Sequence, residues 1–134
     1  MTVIRHITLD ANNPYELGKF WEAVLDWPMS PESRPGDSEI LLLAPDALPG
    51  LLIIQVSEKV TAKSRMHFDL CPDTGRDTEL ARVLALGATI VEDHRKADGR
   101  GWVWCADPEG NAFCVERSLA EKAQWDADNA VASV

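Results

Sequence analysis

The order strand, helix, strands occurs twice along the 134 residues, and this duplication constrains the fold more than composition does. In the first copy His6 lies on a strand from Val3 to Leu9, with Ile7 and Leu9 on one face and His6 and Thr8 on the other, the alternation of a half-buried strand. In the second copy His67 lies on the strand Met66 to Leu70, 61 residues further on. Two copies make a duplicated domain rather than a solenoid.

Each opening strand leads into a helix. Leu17, Phe20, Trp21, Val24 and Leu25 recur at helical spacing between Tyr15 and Leu25, after an Asn13-Pro14 pair suited to the N-cap and first turn. Trp27-Pro28 ends that helix, and Met29 to Ser38 reads as loop with at most a brief strand. Ile40 to Leu43 and Leu51 to Val56 are then strands around a loop marked by Pro45, Asp46, Pro49 and Gly50. In the second copy Leu80, Val83, Leu84 and Leu86 define the helix, and Gly87 sits where a helix end needs a residue tolerant of positive φ. Thr89 to Val91 begins a strand, and the polar run Glu92 to Arg100, His94 included, reads as a solvated loop. Gly101 to Cys105 and Ala112 to Glu116 flank Asp107-Pro-Glu-Gly-Asn111, whose turn chemistry makes this the strongest hairpin signal in the chain. Ser118 to Val134 is Ala-rich and acidic, with Trp125 its one large apolar anchor, so it reads as a short docked helix or a frayed tail.

A net charge of −9 repels phosphate backbones and anionic lipid, so neither nucleic acid nor a membrane surface is an expected partner. The odd count of three cysteines, Cys71, Cys105 and Cys114, without a CxxC pair suits a reducing compartment, and the N-terminus lacks the pattern of a signal peptide. The expected setting is the cytoplasm. The apolar stretch Ile40 to Ile54 is broken by prolines and glycine and cannot form a spanning helix.

Taken in order, Leu84-Ala-Leu-Gly-Ala88 and Asp107-Pro-Glu-Gly-Asn-Ala-Phe-Cys-Val115 resemble the closing module of glyoxalase-like proteins. The His6-x-x-Leu9 strand, the helix with Phe20-Trp21 and the phrase Ile54-Gln-Val-Ser-Glu58 resemble the opening module of the same vicinal oxygen chelate superfamily, which includes glyoxalases, bleomycin-resistance proteins and extradiol dioxygenases. The likeness covers residues 3–117. It implies an α+β fold of two tandem βαβββ modules, about 1–60 and 65–117, forming a curled mixed sheet around a cleft, with 118–134 appended. It also implies a small-molecule ligand, a homodimer, and in many members a divalent metal on the cleft floor.

By the resemblance, His6 and His67 fall at first-strand ligand positions, and Gln55 lies near a position where metal-dependent isomerases carry a carboxylate. The last-strand glutamate of the family is replaced here by Cys114. Glu116 lies two residues beyond, on the same face but about 6.5 Å away by strand geometry. The candidate metal set is therefore His6, His67, Cys114 and Glu116, for zinc, iron, manganese or nickel; the alternative is a cleft with no metal, in which the histidines make hydrogen bonds.

Pairing of Trp104 with Cys114 would set Trp102 opposite Glu116 and bring all four to one face, suiting a flat ligand, whereas core packing under a helix is the other use of two indoles. Arg65 and Asp69 bracket His67, to receive a ligand carboxylate and orient the imidazole, or simply to form an ion pair. Glu116 between apolar walls would serve as a general base, with His67 and His6 as its catalytic companions, unless it pairs with Arg65 or Arg117. Cys114 reads as a buried, inert thiol in place of a nucleophile. Two functions follow: a small-molecule enzyme of isomerase, lyase or dioxygenase type, or a non-catalytic protein sequestering a drug or metabolite, for which the acidic charge favours a cationic ligand.

Overall fold

The structure is a computed structural model that describes residues 1–130. It falls into two compact units, Met1–Thr61 and a second beginning at Ala62.

Unit one contains β1 (His6–Ala11), α1 (Pro14–Leu25), β2 (Glu39–Leu42) and β3 (Gly50–Gln55). The sheet order is β1-β3-β2, with β1 parallel and β2 antiparallel to β3. Met29 adds a single bridge to Leu42, so the brief strand expected after α1 shrinks to one rung. Pro28, Pro31 and Pro35 deny that segment ladder donors. The alternation assigned to Val3–Leu9 holds, but the strand begins at His6 because pairing starts with His6 opposite Gly50. Asn13 caps α1, its side chain accepting from the Glu16 N–H, and Pro14 occupies the first turn. Leu17, Phe20, Trp21 and Val24 form the buried stripe and pack on Ile40, Leu42, Leu51 and Ile53. Phe20 and Trp21 meet edge-on at 5.2 Å between ring centres.

Unit two contains β4 (Phe68–Leu70), α2 (Arg76–Leu86), β5 (Thr89–Asp93), β6 (Val103–Ala106), β7 (Ala112–Val115) and α3 (Leu119–Ala130). Its sheet order, β4-β7-β6-β5, repeats the first-beside-last arrangement of unit one, so the expected duplication is present as two mixed sheets, complete as βαβββ in unit two and reduced to βαββ in unit one, where Met29 supplies only the single rung. Leu80 and Val83 of α2 are buried with Val103, Cys105, Phe113 and Val115, the core face of this sheet. Leu86, expected on that apolar stripe, is exposed, because α2 ends there. Gly87 follows at φ 119, and the N–H groups of Gly87 and Ala88 donate to the Leu84 and Val83 carbonyls, closing the helix.

Asp107, buried in the β6–β7 turn, accepts from the N–H groups of Glu109 and Asn111 and from the Asn111 amide, which fixes the hairpin register. The tail is helical to Ala130; the remainder of the expected 118–134 segment, residues 131–134, lies outside the described residues. A capping box starts α3: the Ser118 hydroxyl accepts from the Glu121 N–H, while the Glu121 carboxylate accepts from the Ser118 N–H. That carboxylate also accepts from the Arg76 N–H at the start of α2, and the Trp125 ring lies 4.9 Å from the Arg100 guanidinium. No helix among the described residues is long and apolar enough to cross a membrane.

Candidate functional site

The face of the second sheet opposite its core gathers most of the polar residues singled out in the sequence. Strand pairing sets Asp69 opposite Cys114, Cys114 opposite Trp104 and Trp104 opposite Glu92, so one rung crosses all four strands. Side chains two positions away share the face. His67 and Glu116 therefore flank the rung, with Trp102 and His94 beside Glu116 on the next. The pairing of Trp104 with Cys114 is the register expected from the turn.

A cavity of about 370 Å³ lies on this face, bordered by Lys63, His67, Asp69, Glu92, His94, Trp102, Trp104, Cys114 and Glu116. Such a volume suits a small organic molecule. The indoles are not packed under a helix: Trp102 is 42% exposed and stacks on His94 at 4.8 Å and 21° between planes. Trp104 carries the Lys63 ammonium 4.2 Å above its ring, and its buried Nε1 has no hydrogen-bond partner among the described residues. Three carboxylates, Asp69, Glu92 and Glu116, share the cavity with these rings, which makes it attractive to positive charge.

His67 Nε2 lies 3.3 Å from Asp69 Oδ1, as the bracketing of His67 suggested. One donor atom each from His67, Asp69 and Cys114 lie within 4.8 Å of one another. Imidazole, carboxylate and thiolate together suit a zinc-class ion and fit an oxygen-seeking ion such as manganese poorly. Asp69 thus enters the donor set that was expected to consist of His6, His67, Cys114 and Glu116. Cys114 is buried; desolvation first, and then the negative charge of Asp69, push its thiol above the ordinary range, partly opposed by Lys63. A thiol in that state is inert at neutral pH unless a metal or cation draws off its proton.

Other expectations need correction. Glu116 is exposed, so the apolar burial that would make it a tuned general base is missing, and neither Arg65 nor Arg117 forms an ion pair with it among the described residues. Arg65 lies in the loop before β4, because pairing begins only at Phe68, and it borders neither this cavity nor the one beside it. His6 and Gln55 sit at opposite ends of the β1–β3 pair: His6 pairs with Gly50 and Gln55 with Ala11, which separates them by about 16 Å and turns them to opposite faces.

His94 is exposed and lies one residue past β5, as expected of a loop position, but it is tied to the sheet. Strand β5 runs on to Asp93, a bulge between Ile90 and Glu92 resets its register, and the His94 N–H donates to the Trp102 carbonyl. Its ring also makes a 2.8 Å hydrogen bond to Glu92. Lys63 gives no local signal, since only tertiary placement brings it over Trp104.

The profile of the glyoxalase-like domain family matches residues 6–116. No curated protein matches the chain. Among solved structures, the genomically encoded fosfomycin resistance protein of Listeria monocytogenes superposes with a TM-score of 0.64 at 16% identity, over 92% of this chain and 98% of that one. A glyoxalase/bleomycin resistance protein/dioxygenase family enzyme from Burkholderia phytofirmans PsJN gives 0.62 at 16% identity, over 82% and 94%. Lactoylglutathione lyase from Agrobacterium tumefaciens gives 0.58 at 17% identity, over 90% and 96%. At these identities the likeness is one of fold.

Proposed function

Since the chain belongs to the glyoxalase-like domain family, we propose that it binds a small, planar organic molecule, favouring one with a positive charge, on the open face of its second sheet. The observation that carries this reading is the rung Asp69–Cys114–Trp104–Glu92 with Trp102, His94, His67 and Glu116 around it. The indoles supply flat apolar surface, and the three carboxylates supply the charge that steers and retains a cation. Lys63, seated on Trp104, marks where the positive end of a ligand would rest. On this reading the protein sequesters a drug or metabolite, a role consistent with a superfamily that includes resistance proteins.

A second reading, of lyase, isomerase or dioxygenase type, is favoured by the His67–Asp69–Cys114 cluster. These residues would hold a zinc-class ion, which when bound polarises neighbouring oxygens of a substrate. Asp69 would orient the His67 imidazole. His6, in unit one, is outside this three-residue set. The three free thiols suit the cytoplasm, and exposed Ile90 and Val91 on edge strand β5 suit a homodimer.

Fluorescence titration against a panel of planar cations tests the first reading. Quenching is expected in the wild type and its loss in Trp104→Leu; no quenching by any member contradicts it. Equilibrium dialysis against zinc tests the second: one equivalent is expected in the wild type and in His6→Ala, and none in His67→Ala or Cys114→Ala. Absence of zinc from the wild type removes the metal-assisted chemistry and leaves the binding reading standing.

A further inference from the structure

A second cavity, of about 390 Å³, adjoins the first and shares Trp102 and Glu116 with it. Its charge is of the opposite sign. Lys96, Arg100, Arg117 and Lys122 border it, and Glu116 is the only carboxylate among its lining residues. In a chain of net charge −9 with 13 basic residues, four of them around one cavity is a local reversal of the protein's field.

These cations are unequally engaged. Arg100 gives its Nε to Asp98 and its face to Trp125, and Lys122 pairs with Asp126 at 2.7 Å. Lys96 has no ion-pair partner among the described residues. Arg117 Nη1 is buried and has no hydrogen-bond partner among them, although buried donors of this kind are nearly always satisfied. An oxyanion is the group such donors await, since a guanidinium fork matches carboxylate or phosphate oxygens.

We propose that this cavity is an oxyanion subsite, receiving a carboxylate or phosphate carried by the molecule whose planar part lies on Trp104. The proposal rests on the binding reading above for the planar part, and on Arg117 and Lys96 for the acid. The shared Trp102 and Glu116 mean that one ligand can span both cavities, so the substrate class narrows to a planar cation bearing an acidic arm.

The test compares three probes by fluorescence titration of the full chain: N-methylquinolinium, N-(3-carboxypropyl)quinolinium and its amide. The acid is expected to bind about tenfold more tightly than the amide, the worth of one hydrogen bond to a charged group. That preference should disappear in Arg117→Gln and shrink in Lys96→Gln, with the amide binding all three proteins equally. Equal binding of acid and amide to the wild type, or an unchanged preference in both variants, overturns the subsite. If no quinolinium binds, the planar-ligand reading fails, and the subsite is read with inorganic phosphate alone. Phosphate at constant ionic strength should then raise the melting temperature of the wild type, and by less that of Lys96→Gln, whose side chain is exposed; no phosphate-specific rise in the wild type, or an equal rise in the variant, overturns the proposal.

Discussion

Replacing Arg76 with methionine tests how the loop bordering both cavities is held. Arg76 is 6% exposed, and its Nη1 donates to the carbonyls of Gly99, Arg100 and Gly101 at 3.0, 2.9 and 3.2 Å. Its Nε donates to Asp77 at 3.0 Å. Methionine keeps the apolar stem but removes every one of these bonds. Hydrogen bonds to a charged donor are worth about 1.5–3 kcal/mol each, but the losses here are partly offset. Gly99 is exposed, so water can reach its carbonyl, and the Arg100 carbonyl keeps the Lys96 N–H. Asp77 keeps Arg95 at 3.3 Å. What remains is about 2–3 kcal/mol, or roughly a 10 °C fall in melting temperature for a chain of this size. Circular dichroism melts at neutral pH read it directly. A fall smaller than about 3 °C would refute the view that one buried guanidinium pins residues 99–101. Because that loop presents Lys96, Arg100 and Trp102, the variant should also bind planar ligands more weakly at temperatures where it is fully folded.

Iodoacetamide at mildly alkaline pH should modify Cys71 alone among the three cysteines: Cys71 is exposed, whereas burial pushes Cys105 up to about 11 and Cys114 upward as well, which peptide mass mapping will show. Early labelling of Cys114 would contradict its placement on the rung. The Asp93 carboxyl is held down to about 2 by hydrogen bonds from Arg95, and those of Asp77 and Asp98 are also lowered, by Arg76 and by the Arg100 backbone. Because the folded state favours their ionised form, this stability is present above the ordinary value of 3.8 and is lost as pH falls toward about 2. Melting temperature should therefore fall below about pH 4 through these groups, and a charge-neutral Asp93→Asn variant should show a shallower fall. Gly101 has φ 93, and a Cβ there would collide with the His94 carbonyl, so Gly101→Ala should cost about 3 kcal/mol or more in urea unfolding and weaken the stacking of Trp102 on His94.

Much of the fold was legible because single residues carry local physics. Asn13-Pro14, Gly87 and the Asp107 turn act within a few positions of themselves, and they mark the element ends that the structure shows. The turn also set the register that brings Trp104 to Cys114, so the heart of the candidate face could be read from it. What escaped depends on contacts without a local signature. Strand β5 is exposed at every position, so it offers no alternation to separate it from a loop, and its bulge shifts the register that brings His94 to Trp102. Asp69 could be tied to His67 by the two-residue period, but its approach to Cys114 needed the parallel β4–β7 pairing between segments far apart in sequence. The basic cavity was invisible because Lys96 and Arg100, in the β5–β6 loop, meet Arg117 and Lys122 only once α3 is docked through Glu121 and Trp125.

The central claim is that the open face of the second sheet is where ligand binds, and the five tryptophans provide the direct measurement. Indole N–H resonances assigned by single substitution, followed during titration with a planar cation that quenches fluorescence, separate Trp102 and Trp104 from Trp21, Trp27 and Trp125. Saturable shifts of Trp102 and Trp104, with the other three unmoved, are the predicted result. Shifts confined to Trp21, Trp27 or Trp125 would place the ligand elsewhere and contradict the account.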